Sequence, residues 1–118
     1  MTTGNVQVTF HGLERSEALE SLILEKAGKL RLVYDRIQRI RVVIEMPHRS
    51  HNKGNHLEVK VEMHIPGEDE FVITRGSELD AEHDSAFALV REVFTAAQRV
   101  VRDHAEMRED DRRRARSV

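Results

Sequence analysis

The chain of 118 residues contains no cysteine and no tryptophan, and it has only one tyrosine, four phenylalanines and two prolines. Without cysteine it can form no disulfide, no thiolate metal site and no cysteine nucleophile. Because aromatic side chains are scarce, the core must be built mainly from Val, Ile, Leu and Ala. The absence of disulfides fits a reducing cytoplasm, which is the location we expect.

Long apolar segments are also missing. No run of apolar residues approaches the ~20 residues that cross a bilayer. The opening residues MTTGNVQVTF lack the basic start and apolar block of a signal peptide. We therefore expect a soluble protein with no membrane partner, and the length predicts a single domain.

Motifs that carry catalysis are absent as well. The sequence has no glycine-rich phosphate loop, no G-x-S-x-G and no H-E-x-x-H. Its acidic clusters, GEDE and SELDAEHD, fall in predicted turns, where solvation explains them. We expect no enzymatic activity, no cofactor and no small-molecule substrate.

Charge is nearly balanced over the whole chain but unevenly distributed. The formal net charge is −2, yet residues 31–60 contain seven Lys or Arg against three acids. Residues 68–92 contain eight acids against two arginines. This segregation predicts a surface with one basic side and a separate acidic loop.

Apolar periodicity predicts six elements of secondary structure. Helical spacing indicates a first helix from about Ser16 to Leu32 and a second that carries apolar residues from Ala86 to Val101. Beyond Ala105 the apolar period stops, so residues 106–118 are predicted to be a charged, disordered tail. Period-two alternation predicts four strands, in VQVTFH, RIRVVIEM, HLEVKVEMHI and FVIT.

The order β-α-β-β-β-α predicts an α+β two-layer sandwich over residues 1–105, with a four-stranded sheet and both helices on one face. If the first two strands are neighbours, the first helix joins parallel strands, and the remaining strands form an antiparallel meander. The other face of the sheet is then open to solvent and charged.

The segment PHRSHNKGNH, between the second and third predicted strands, holds three of the seven histidines. His48, His51 and His56 have spacing compatible with zinc, but a structural site normally needs four ligands and a catalytic site three. A second interpretation is a solvated hairpin loop over residues 47–55. A third is an electropositive edge that binds phosphate, formed by Arg39, Arg41, Arg49 and Lys53. The residues alone favour neither the solvated loop nor the phosphate contact.

Three segments resemble the ribosome hibernation promoting factors, also called ribosome-associated inhibitors or sigma-54 modulation proteins. LILEKAGKLRLVYDRIQRIRVVIE is similar to the family's first helix and second strand. HLEVKVEMHIPGEDEFV resembles its third and fourth strands, and HDSAFALVREVFTAAQRVV its second helix. The similarity covers roughly residues 6–104 in the family's own order and corresponds to its short type.

This resemblance implies a cytoplasmic, non-enzymatic protein that binds the small ribosomal subunit and its rRNA near the decoding centre. It would block the channel for mRNA and tRNA when growth slows. The second helix is less basic than in other short members, since Phe94, Thr95, Ala96 and Ala97 occupy its middle. The resemblance implies RNA-binding roles for Lys26, Lys29, Arg36, Arg91, Arg99 and Arg102. The basic residues of the second strand and the histidine loop complete the predicted RNA-binding set, and these are Arg39, Arg41, Arg49 and Lys53. The alternative is a protein-binding module of the same fold that uses the acidic loop 68–84.

Overall fold

Six elements of secondary structure occur in the residues that this computed structural model describes, which are 5–46, 56–77 and 83–117. Their order confirms the predicted β-α-β-β-β-α succession. The elements are β1 (Val6–His11), α1 (Glu17–Val33), β2 (Arg39–Glu45), β3 (Leu57–His64), β4 (Phe71–Ser77) and α2 (His83–Ser117).

The four strands form one sheet in the order β1-β2-β3-β4. Strands β1 and β2 are parallel neighbours, with Val6 opposite Ile40, and α1 connects them. Strand β3 is antiparallel to β2 and to β4. The predicted crossover and meander are therefore both confirmed.

One face of the sheet is apolar because each strand alternates. Ile40, Val42 and Ile44 in β2 have no exposed surface. Arg39, which precedes Ile40, and Arg41, which follows it, are both exposed. Strand β3 alternates in the same way, and its buried positions join one cluster with the apolar residues of both helices. Both helices therefore cover the same face, and the opposite face is open, which confirms the predicted two-layer sandwich.

Helix α1 begins at a well-formed N-cap. The Ser16 side chain accepts a hydrogen bond from the backbone N–H of Leu19 at 3.1 Å, and two glutamates lie in the first turn. The cap satisfies a backbone N–H that has no partner within the helix, and the glutamates interact favourably with the positive end of the helix dipole. The helix ends at Val33, one residue beyond the predicted Leu32.

Helix α2 is much longer than the apolar pattern predicted. The prediction of a disordered tail over residues 106–118 differs from the structure, in which α2 continues to Ser117. The reason is charge pairing: Glu109, Asp110 and Asp111 lie three or four residues before arginines, at N···O distances of 3.3–4.0 Å. Each such pair stabilises a helix by about 0.2–0.5 kcal/mol, and cations also suit a helix C-terminus.

Two glycines in different backbone environments allow a test of the β1–β2 geometry. Gly12 follows β1 with a φ of +79°, and a Cβ there would lie against the Met46 carbonyl oxygen, inside van der Waals contact. Gly28 lies within α1, and a Cβ there would have no neighbour within 4 Å. Gly12→Ala should lower the free energy of unfolding by about 1–3 kcal/mol, and Gly28→Ala should raise it by about 0.5–1 kcal/mol. Urea unfolding measures both, and equal effects at the two sites would contradict the assigned β1–β2 geometry.

Candidate nucleic-acid interface

A shallow cleft runs between α1 and α2 on the surface away from the sheet. Its apolar part is formed by Leu30 and Phe94, both buried. The polar and charged residues that line it are Lys26, Lys29, Arg91, Thr95 and Gln98. The cleft thus brings together three of the predicted RNA-binding residues, from two helices that are far apart in sequence.

Helical periodicity explains why these side chains meet. Each helix turns its apolar stripe towards the sheet, so residues beside that stripe face the neighbouring helix. Lys26 and Lys29 are three residues apart and share one side of α1. Arg91, Thr95 and Gln98 follow the i, i+4, i+7 pattern and share one side of α2.

The cleft is suited to an anion. Three cations and no carboxylate belong to its lining, as far as the described residues show. Within the described chain, Lys26 and Arg91 form no hydrogen bond or ion pair through their side chains. Lys29 Nζ lies 3.4 Å from Glu25 Oε2, but both side chains are about 60% exposed. Such a pair contributes little and yields readily to a phosphate.

The two uncharged polar residues differ in what they offer. Thr95 Oγ1 donates its hydrogen to the Arg91 backbone carbonyl at 2.9 Å, so it remains only an acceptor for a ligand. Gln98 retains two amide N–H donors, which suit a phosphate or a ribose hydroxyl. Neither residue was predicted from the sequence. Their spacing of four and seven residues from Arg91 indicates that they share its side of α2.

The remaining basic residues of the helical layer lie outside the cleft. Arg102 is 11 residues after Arg91, which is about three helical turns, so it extends the same side of α2. Arg99 is exposed and lies roughly a quarter of a turn away from that side. Arg36 is exposed in the connection that follows the α1 C-cap residue Tyr34.

Two predicted residues lie on the opposite face of the protein. Arg39 and Arg41 belong to β2, an inner strand, and point to the open face of the sheet. The predicted electropositive edge also includes Arg49 and Lys53, which lie outside the described residues, so it stays a prediction. Arg41 Nε also lies 3.4 Å from Glu62 Oε1, and Lys60 Nζ lies 3.4 Å from Glu62 Oε2. The open face therefore has mixed charge.

The open face carries no phenylalanine or tyrosine in the described strands. Phe10 and Phe71 are the phenylalanines of the sheet, and both pack against the core on the helical side. RNA-binding sheets that read unpaired bases do so by stacking them on exposed aromatic rings. On the open face of the described strands, the rings are the imidazoles of His11 and His64.

Most of the histidine loop lies outside the described residues. Arg49, Lys53, His48 and His51 fall in residues 47–55, so their placement stays untested. His56 is described, and its Nε2 lies 4.0 Å from Glu58 Oε2. Over residues 5–46, 56–77 and 83–117, no three His, Asp or Glu side chains are grouped as a metal site requires.

The acidic loop is partly engaged within the protein. Glu68 Oε2 lies 3.5 Å from Arg108 Nη1 and 3.9 Å from His104 Nε2. Glu92, on α2 beyond the loop, pairs with Arg75 at 3.6 Å. Residues 78–82 lie outside the described part of the chain. Glu68 is therefore less available to a partner than the sequence indicated.

In the part of the chain that the structure describes, no helix is both long enough and apolar enough to cross a bilayer.

Solved structures share this fold. A ribosomal subunit interface protein from Coxiella burnetii has 19% identity and a TM-score of 0.67, with 86% of this chain and 97% of that chain covered. The N-terminal domain of Protein Y from Thermus thermophilus has 14% identity and a TM-score of 0.64, with 85% and 98% covered. At these identities the likeness establishes the fold alone. No curated protein sequence matches the chain significantly.

The sequence also matches a family profile over residues 6–109, from the first strand into the last third of α2. The match covers more than half of the chain and agrees with the resemblance seen in its helices and strands. The chain belongs to the sigma 54 modulation protein / S30EA ribosomal protein family.

Proposed function

We propose that this protein binds the small ribosomal subunit through the cleft between α1 and α2 and so silences translation. The observation that carries the proposal is the composition of the cleft, with three cations and no carboxylate among its described lining residues. Family membership supports the ribosome as the partner, since the description of the family includes a ribosomal protein. Ribosomes work in the cytoplasm, so we place the protein there.

The description of a solved relative supports a position at the interface between the ribosomal subunits. The solved relative from Coxiella burnetii is described as a ribosomal subunit interface protein. A domain that occupies that surface near the decoding centre would exclude mRNA and tRNA from their channel. This mechanism requires occupancy and shape, and it needs no catalytic group.

Recognition would use the RNA backbone. Lys and Arg at the cleft suit phosphate oxygens, and phosphate contacts position a protein without reading sequence. The described strands offer no exposed phenylalanine or tyrosine ring on which a base could stack. The protein would therefore recognise the shape and backbone of folded rRNA.

A net charge of −2 does not oppose this proposal. Binding depends on the local potential, and α1 and α2 concentrate cations along the cleft. The acids of the open face, such as Glu62, lie on the other side of the sheet and pair with their own neighbours. The acidic-loop alternative is weakened because Glu68 already contacts Arg108 and His104.

Neutralising the cleft should weaken ribosome binding. Lys26→Gln with Arg91→Gln removes two cations that have no described side-chain partner, so the fold should be retained. We expect roughly 10- to 100-fold weaker association with small subunits, since each contact to a charged group contributes about 1 kcal/mol or more. Co-sedimentation with purified small subunits measures the change.

A matched pair on the other face provides the control. Arg39→Gln with Lys60→Gln removes the same charge but leaves Arg41 to pair with Glu62. We expect less than a 3-fold change in affinity. Equal losses from the two double variants would mean that total charge, and not the cleft, determines binding.

Salt dependence gives an independent prediction. If three cleft cations neutralise phosphates, the logarithm of the association constant should fall with the logarithm of salt concentration. The slope should be about −2 or steeper, because each phosphate contributes about 0.7–0.9. The cleft double variant should have a slope shallower by about 1.5. Binding that is insensitive to salt would contradict backbone recognition.

A further inference from the structure

Helix α2 extends well beyond the body of the domain. Its last fully buried side chain is Val101, and the helix continues to Ser117. At 1.5 Å per residue, the final 16 residues span about 24 Å. From Glu106 to Arg116 every side chain is exposed except the half-buried Glu109. We call residues 106–117 the C-terminal arm.

The base of the arm is fixed to the domain. The His104 ring packs edge-on between Tyr34 and Phe71, with centroid distances of 5.6 and 5.2 Å. Arg108 Nη1 lies 3.5 Å from Glu68 Oε2, in the connection between β3 and β4. These contacts join α2 to the end of α1 and to the sheet, so the arm leaves the domain in a defined direction.

The arm ends in a cluster of arginines. Arg112, Arg113 and Arg114 pair with acids one turn earlier, at 3.3–4.0 Å, and their side chains are 65–81% exposed. Pairs so exposed contribute about 0–1 kcal/mol, so a phosphate can replace the carboxylate. Arg116 forms no ion pair within the described chain. Four positive charges thus lie within the last turns of the helix.

The arginines of α2 continue the line of the cleft. Arg91, Arg102 and Arg113 recur every 11 residues, which is about three turns, so they lie along one side of the helix. The distance from Arg91 to Arg113 along the axis is about 33 Å. A single continuous helix therefore carries cations from the cleft to the tip of the arm.

We propose that the arm is a second RNA-binding element, which contacts a stretch of rRNA backbone separate from the one in the cleft. This inference rests on the proposed ribosome binding. Because both contacts belong to one rigid helix, the cleft would bring the arm to its phosphates at high effective concentration. The arm would act through its charge and also through its direction.

Two variants test these two properties. Arg112→Gln, Arg113→Gln and Arg116→Gln together remove charge but keep good helix formers. Met107→Pro keeps every charge but interrupts α2 at an exposed position, which redirects the arm. We expect each variant to bind small subunits roughly 10-fold more weakly. In the triple variant, affinity should also depend less steeply on salt concentration. Met107→Pro should bind more weakly than the natural sequence at every salt concentration.

A variant of the arm acids changes the charge with the opposite sign. Glu109→Gln, Asp110→Asn and Asp111→Asn together remove three acids and also the ion pairs that stabilise this part of the helix. Where its helix persists, this variant should bind at least as tightly as the natural sequence. Circular dichroism of all variants reports whether the helix persists. If the triple arginine variant keeps its helix and binds as tightly as the natural sequence, the arm does not contact RNA.

The two proposals fail in different ways. No binding of the natural sequence to small subunits overturns the proposed function. Binding that requires Lys26 and Arg91 but not the arm arginines overturns the arm alone. Repeating the series with deproteinised small-subunit RNA separates partners: a loss seen on both supports RNA, and a loss seen only on intact subunits indicates a ribosomal protein and overturns the RNA contact.

The position of the arm can be tested directly because the chain has no cysteine. Ala115→Cys places one thiol near the tip, and Ala88→Cys places one on the exposed side of α2 beside the domain. Each can carry an iron chelate that cleaves nearby RNA by hydroxyl radicals. We expect distinct cleavage sites from the two positions. An absence of cleavage from Ala115→Cys in a bound complex would contradict the arm contact.

Discussion

The structure depends on the burial of one sheet face by two helices. Strand alternation leaves a single apolar face, on which residues such as Ile40 and Val61 have no exposed surface. Since α1 and α2 share this face, each also contacts the other, and the polar residues beside their apolar stripes meet. Lys26 and Arg91 are brought to one cleft by this packing, although neither contributes to the core. The candidate site is thus a consequence of how the core is covered.

Much of this fold could be predicted from the sequence because each element carries a strong local pattern. The alternation of apolar residues in β3 predicted a strand, and the apolar stripe of α1 predicted a helix. The order of the elements along the chain then predicted the two-layer sandwich. The cleft could not be predicted in the same way, because it depends on which sides of two distant helices face each other. Arg39 and Arg41 show the same limit: their charge was evident, but their place on an inner strand came from the pairing. The C-terminal arm was missed because apolar periodicity detects packed helices, whereas this one is stabilised by ion pairs.

The distribution of charge gives the two faces of the domain different roles. On the open face of β2 and β3, the acids Glu45, Glu58 and Glu62 offset the cations Arg39, Arg41 and Lys60, so that face has little net attraction for an anion. On the helical face, the cleft and the arginines of α2 form one basic line. A nearly neutral protein can therefore present a strongly directional surface to RNA. His104 and Glu68 link this line to the rest of the domain by fixing the angle of α2.

The central claim is that the helical face, and not the open face of the sheet, meets ribosomal RNA. The most direct measurement is a cryo-electron microscopy map of the protein bound to the small subunit, at a resolution that shows side chains. The account predicts density for an RNA backbone within hydrogen-bonding distance of Lys26 and Arg91. A map in which the open face around Arg41 contacts RNA, with the cleft exposed to solvent, would contradict it.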